Sequence, residues 1–157
     1  MKQQVYLETT IVSYLTARPS RDLIVAAHQE VTRQWWEGRR ERFSLYVSQF
    51  VLDEAGSGDP AAAHQRLKVL AGLPLLPLTD EVRDVATGLL DAGVLSQKAQ
   101  ADAVHIAVAT VSEMEVLLTW NCRHLANGSI LGRVGRHLRD RGYEAPVICT
   151  PDELMGE

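Results

Sequence analysis

Lys98-Ala-Gln-Ala-Asp-Ala-Val-His-Ile-Ala-Val-Ala-Thr-Val-Ser-Glu-Met-Glu-Val-Leu-Leu-Thr-Trp-Asn-Cys-Arg-His-Leu-Ala-Asn127 reads as a helix, a turn, a buried strand and a polar loop. Ala99, Ala101, Ala103, Ala107 and Ala109 favour helix and let it lie close on a sheet. Asp102, Ile106 and Ala109 share one face by the three-to-four spacing, so a carboxylate joins an apolar stripe. Ser96 as N-cap would put Asp102 in the second turn, near the positive end of the helix dipole. An acid there either favours the dipole alone or is buried for a purpose, and the stretch supports both readings equally. Glu115 to Thr119 is a short apolar run of the kind that fills a parallel sheet. It delivers Trp120, Asn121, Cys122, Arg123 and His124 to the sheet's carboxyl edge, where open α/β sheets bind ligands.

Working outward, the N-terminal run Val5-Tyr-Leu7 is β-prone and ends in Glu8. Thr9 and Thr10 then open Ile11-Val-Ser-Tyr-Leu15 as a helix with a threonine cap. A second strand is expected over 44–47, with Ser48 capping a helix that carries Phe50, Asp53 and Glu54. Glu54 lies four residues from Phe50 and is the acid placed over a packed face, while Asp53 points about 100° away. Arg21 to Glu37 reads as a helix with Ile24, Ala27, Val31 and Trp35 inward, and adjacent Trp36 cannot face the same way. Further helices follow Asp59-Pro60 and Thr79, the latter with Val82, Ala86, Leu89 and Leu90 on one face. Leu73 to Leu78, bounded by prolines, is an edge strand. Gly128 to Gly135 lacks both the P-loop and dinucleotide patterns and is taken as a loop entering a helix. Pro146 to Cys149 is the last strand, and Thr150-Pro-Asp-Glu-Leu154 a capped turn.

Strands alternating with helices predict a three-layer α/β/α sandwich around a mostly parallel sheet, in one domain spanning 1–157. The 157 residues, 46% hydrophobic and 23% charged, suit one soluble globular unit. No apolar run approaches a membrane span, and Glu8 interrupts the one N-terminal apolar segment, against a signal peptide. Two cysteines, Cys122 and Cys149, make no disulfide framework and fit a reduced, cytoplasmic setting. A net charge of −4 does not advertise nucleic acid, so contact with it would rest on local patches. Two exist: Arg33, Arg39, Arg40 and Arg42, and Arg133, Arg136, Arg139 and Arg141, each of which is also ordinary solvated surface by its charge alone.

In such a sandwich Glu8, Glu54, Asp102 and Asn121 can meet at one carboxyl edge. Three carboxylates and an amide are hard oxygen donors that suit Mg²⁺ or Mn²⁺. A divalent cation keeps closely packed carboxylates ionised, and the chemistry implied is hydrolysis of a phosphate ester. A soft site of Cys122, His124 and His105 lacks a fourth ligand at a zinc spacing. His105 is read as a core or supporting residue of the Asp102 helix, and His124 as a contact to substrate phosphate.

Tyr6-Leu-Glu-Thr-Thr-Ile-Val-Ser-Tyr-Leu15, the Ser48 to Glu54 helix, Asp102-Ala-Val-His-Ile-Ala107 and Leu117-Leu-Thr-Trp-Asn-Cys-Arg-His-Leu125 occur in that order, with Thr150 to Leu154 as a tail. This set resembles the PIN-domain ribonucleases, close to the VapC-type toxins of type II toxin–antitoxin pairs, over almost the whole chain. The resemblance implies a PIN-like sandwich and a Mg²⁺- or Mn²⁺-dependent endoribonuclease. Glu8, Glu54 and Asp102 would be its metal ligands, and Asn121 would orient water or support the metal. Thr9 and Thr119 would assist at the substrate. It further implies an RNA substrate, a cognate antitoxin that silences the enzyme, and a homodimer. RNA contact would fall to Arg39, Arg40, Arg133, Arg136 and His124. Two positions depart from the family, Glu8 and Asn121, each where aspartate is common. They support a rival reading, a PIN-like module that binds RNA or protein without catalysis. A phosphate-accepting receiver or phosphatase of similar layering ranks last, because the chain lacks paired aspartates after the first strand.

Overall fold

The computed structural model describes residues 1–121, 125 and 127–156. Among the described residues five strands alternate with seven helices: β1 (Gln3–Leu7), α1 (Thr9–Thr16), α2 (Leu23–Gly38), β2 (Phe43–Ser48), α3 (Gln49–Ala55), α4 (Pro60–Leu70), β3 (Leu75–Leu76), α5 (Asp80–Asp91), α6 (Gln100–Val111), β4 (Val116–Leu118), α7 (Gly128–Asp140) and β5 (Val147–Cys149). Short 3₁₀ turns occupy Arg40–Arg42, Gln97–Ala99 and Pro151–Leu154.

The strands form one sheet in the order β3-β2-β1-β4-β5, and every pairing is parallel. From central β1 the chain steps outward to β2 and β3, then crosses back to β4 and β5 on the other side. Right-handed crossovers therefore put α1 to α4 on one face and α5 to α7 on the other, which gives the expected α/β/α sandwich. Packing agrees, with α1 against α2, α3 and α4, and α5 against α6. The reversal of direction falls between β1 and β4, and at such a switch point the strand ends open a crevice for ligands.

Parallel strands covered on both faces must be apolar throughout. Val5, Tyr6, Leu7, Val116, Leu117 and Leu118 are accordingly all buried. Ala103, Ile106, Ala107 and Ala109 bring α6 flush against them. No described helix is long and apolar enough to cross a membrane.

Several local expectations are corrected. Glu8, rather than a threonine, caps α1 by accepting the Thr10 amide. Ser96 precedes a 3₁₀ turn and makes no side-chain cap, so Asp102 falls in the first turn of α6. Ile24 is 70% exposed instead of buried, and Ala27 is exposed as well, because α2 buries only Gln29, Thr32 and Trp35, all beyond its first turn and a half. Gly128 to Gly135 is helical from its first residue: Asn127 caps it through Ser129, and Val134 and Leu138 dock at helical spacing. The third strand shrinks to two residues at the sheet edge, since its prolines deny the ladder two amides. Trp35 is fully buried, while Trp36 lies half-buried beneath the Arg40 guanidinium, 4.7 Å from its ring.

Candidate metal centre

Glu8 is the residue at which β1 stops and α1 begins. Its amide still bonds the Leu118 carbonyl at 3.0 Å, which ties it to β4. Its side chain turns back as the cap, so the carboxylate is held at the switch point and almost wholly buried. Oε1 accepts from the Thr10 amide at 3.1 Å, from the Thr119 hydroxyl at 2.7 Å, and from the Thr10 hydroxyl. Neither threonine is idle otherwise. The Thr10 hydroxyl accepts the Trp120 amide at 2.8 Å, and the Thr119 hydroxyl accepts the Asn121 amide at 2.9 Å.

Glu54 comes from the last turn of α3, a helix started by Ser48, whose hydroxyl accepts the Val51 amide. Asp53 points outward to Gln49, and Glu54 points in, as the helical spacing predicts. Glu54 Oε1 accepts from the Thr9 hydroxyl at 2.6 Å and stands 2.7 Å from His105 Nε2. Burial pushes the Glu54 carboxyl up, but the hydrogen bonds with His105 and Thr9 outweigh it and hold the group below the usual carboxylate range. His105 Nδ1 in turn meets the Tyr6 hydroxyl at 2.8 Å, and that hydroxyl meets Ser48 Oγ at 2.9 Å. Burial raises the Tyr6 phenol far above its ordinary value, so it stays protonated.

Asp102, buried at the start of α6, accepts from the Asn121 side-chain amide at 3.0 Å. One run of bonds thus links Asp102, Asn121, Thr119 and Glu8. Of the four residues expected to converge, Glu8 and Glu54 meet at the carboxyl edge; Asp102 stands at that edge through its bond with Asn121 and is outside the close group of Glu8, Glu54 and His105. One donor atom each from Glu8, Glu54 and His105 lies within 4.8 Å of the others. Among the described residues, Oε2 of Glu8 and Oε2 of Glu54 have no hydrogen-bond partner. Each glutamate thus has one oxygen engaged by the protein and one open, which fits a hard divalent cation.

The other expected residues divide. Thr119 is fully buried and its hydroxyl is used on Glu8, so it positions a carboxylate. Thr9, half-buried, gives its hydroxyl to Glu54. Arg39 and Arg40 sit between the end of α2 and the start of β2, at the amino edge, so the structure does not bring them to the acids. Arg133 and Arg136 are exposed on α7, which starts at the carboxyl edge. His124 and Cys122 lie outside the described residues. Cys149 is buried beside Glu153 and Asp152, and burial first of all pushes its thiol up to about 12.

Sequence reasoning missed Tyr6, Thr10 and Ser48 as partners of the site and read His105 only as support for α6. His105 follows Asp102 by three residues, so the same helical face carries both toward the edge. Tyr6 left no comparable trace, because a tyrosine in a buried strand reads as core. No protein-family model matches the chain, and no curated protein matches it.

Proposed function

We propose that this protein is a metal-dependent endoribonuclease that hydrolyses RNA phosphodiester bonds, in the manner of the PIN-domain toxins it resembles. One observation carries the reading: Glu8 and Glu54, from different elements, come within 4.8 Å of each other, and each has one carboxylate oxygen held by protein donors and one without a hydrogen-bond partner among the described residues. Asp102 adds a third carboxylate at the same edge. These three would hold Mg²⁺ or Mn²⁺, which supplies charge neutralisation at the phosphodiester and a more acidic water. Asn121 spans Asp102 and the strand end and positions that third carboxylate. Thr9, Thr10 and Thr119 fix the glutamates with donors that cost no rearrangement when a cation arrives. The net charge of −4 makes RNA association dependent on the exposed arginines and sensitive to salt. A toxin of this kind would be silenced by an antitoxin segment laid over the acidic crevice.

Calorimetry with Mn²⁺ and cleavage of a labelled single-stranded RNA with Mg²⁺ test the reading together. Uptake of Mn²⁺ with cleavage that disappears in Asp102→Asn is the expected result. Cleavage undiminished in Asp102→Asn overturns the assignment, and absence of Mn²⁺ uptake at millimolar concentration leaves a binding module in its place.

A further inference from the structure

His105 stands within reach of both glutamates, and its imidazole admits two roles, ligand or donor. The distances decide between them. Two donors on a six-coordinate ion at about 2.1 Å each lie roughly 3.0 Å apart. His105 Nε2 and Glu54 Oε1 are 2.7 Å apart, a hydrogen-bond length. A carboxylate oxygen only accepts, so Nε2 must carry the hydrogen. The far side of the ring completes the pattern. Nδ1 faces the Tyr6 hydroxyl, a group that can donate to it and accept from Ser48 in turn. Tyr6, Ser48 and His105 are all essentially without solvent contact, so no water competes for these bonds.

We propose that His105 is a positioning residue, which donates through Nε2–H to Glu54 Oε1 and thereby leaves Oε2 as the atom offered to the cation. This role rests on the metal-centre reading above. Tyr6 and Ser48 hold the ring in that orientation from behind, as the outer partners of metal ligands commonly do. His105 also ties α6 to α3 across the end of β1, so the Glu54 carboxylate is registered against the helix that supplies Asp102.

Long-range ¹H–¹⁵N NMR of the metal-free wild type should find Nε2 of His105 protonated; an unprotonated Nε2 overturns the proposal. Pulsed EPR of the Mn²⁺-loaded wild type should show no directly coordinated nitrogen. A nitrogen coupling that vanishes in His105→Gln defeats this role and leaves the metal reading intact. Wild-type protein that takes up no Mn²⁺ defeats the metal reading, and this role with it. Among variants folded by circular dichroism, His105→Leu should weaken Mn²⁺ affinity by about 10-fold or more, and His105→Gln, which keeps an N–H donor, by less than about 3-fold. Unchanged affinity in the leucine variant, or equal losses in both, overturns the proposal.

Discussion

The two edges of the sheet are both acidic, yet they differ in what the acids are doing. At the amino edge a cavity of about 680 Å³ is lined by four carboxylates, those of Glu81, Glu113, Glu115 and Glu144. All four are exposed. Glu81 accepts the Tyr143 hydroxyl and Glu115 accepts the Gln4 amide at 3.4 Å, bonds that water can replace. At the carboxyl edge Glu8 and Asp102 are buried, and threonine, histidine and asparagine donors fix the carboxylates there. Exposed acids keep their hydration and have little to gain from a cation, whereas buried ones in fixed array have given up water and repel one another. Burial and fixed donors, more than the number of charges, distinguish the two rims.

The sharpest way to break this contrast is to neutralise each rim in turn. Glu8→Gln or Glu54→Gln should remove Mn²⁺ uptake measured by calorimetry, and RNA cleavage with it. Glu113→Gln combined with Glu115→Gln should leave both within about twofold, since exposed carboxylates bind divalent ions weakly. Equal losses from the two rims would erase the distinction.

Next in size is the support behind the acids. Thr119→Val keeps the shape but removes the hydroxyl that donates to Glu8 and accepts the Asn121 amide, leaving both short of a partner. Destabilisation of about 1–3 kcal/mol is expected in urea denaturation. Mn²⁺ affinity should fall about 10-fold in the same variant. The corresponding change at the amino edge, Tyr143→Phe, frees only an exposed Glu81 and should cost under about 0.5 kcal/mol.

A smaller effect concerns RNA. Arg133→Ala with Arg136→Ala should weaken RNA binding more than Arg39→Ala with Arg40→Ala, because α7 begins at the carboxyl edge and the second pair sits at the other. Removing one phosphate-binding arginine should lower the slope of affinity against salt by about one. The reverse ranking would place the RNA on the amino edge.

The smallest effect is pH-dependent. The folded carboxyl of Glu54 lies below its ordinary value, so the unfolded chain binds its proton more readily. Its contribution to stability is therefore complete at neutral pH and is lost as the pH falls through the lowered value. The gap in urea midpoint between wild type and Glu54→Gln should be widest near neutral pH and narrow progressively as the pH falls below the ordinary carboxylate range. A gap that widens on acidification would contradict the direction.

What the sequence determined by itself was local. Ser48, Asp59 and Thr79 announce helix starts because a short oxygen-bearing side chain caps amides two or three residues on, and the structure uses all three. The alternation of apolar runs and helical stripes gave away the sandwich for the same reason, since period depends only on near neighbours. Those patterns do not mark where the core ends, which is why Ile24 reads as buried on a helix whose first turns run past it. Only the tertiary structure decided which strands lie side by side. The order β3-β2-β1-β4-β5 sets β1 beside β4, and so brings Glu8 and Thr119, 111 residues apart, to 2.7 Å. It also sends Arg39 and Arg40 to the far edge and stands Tyr6 behind His105. Lateral strand order comes from the crossovers and the packing of whole helices, which no window of neighbouring residues encodes.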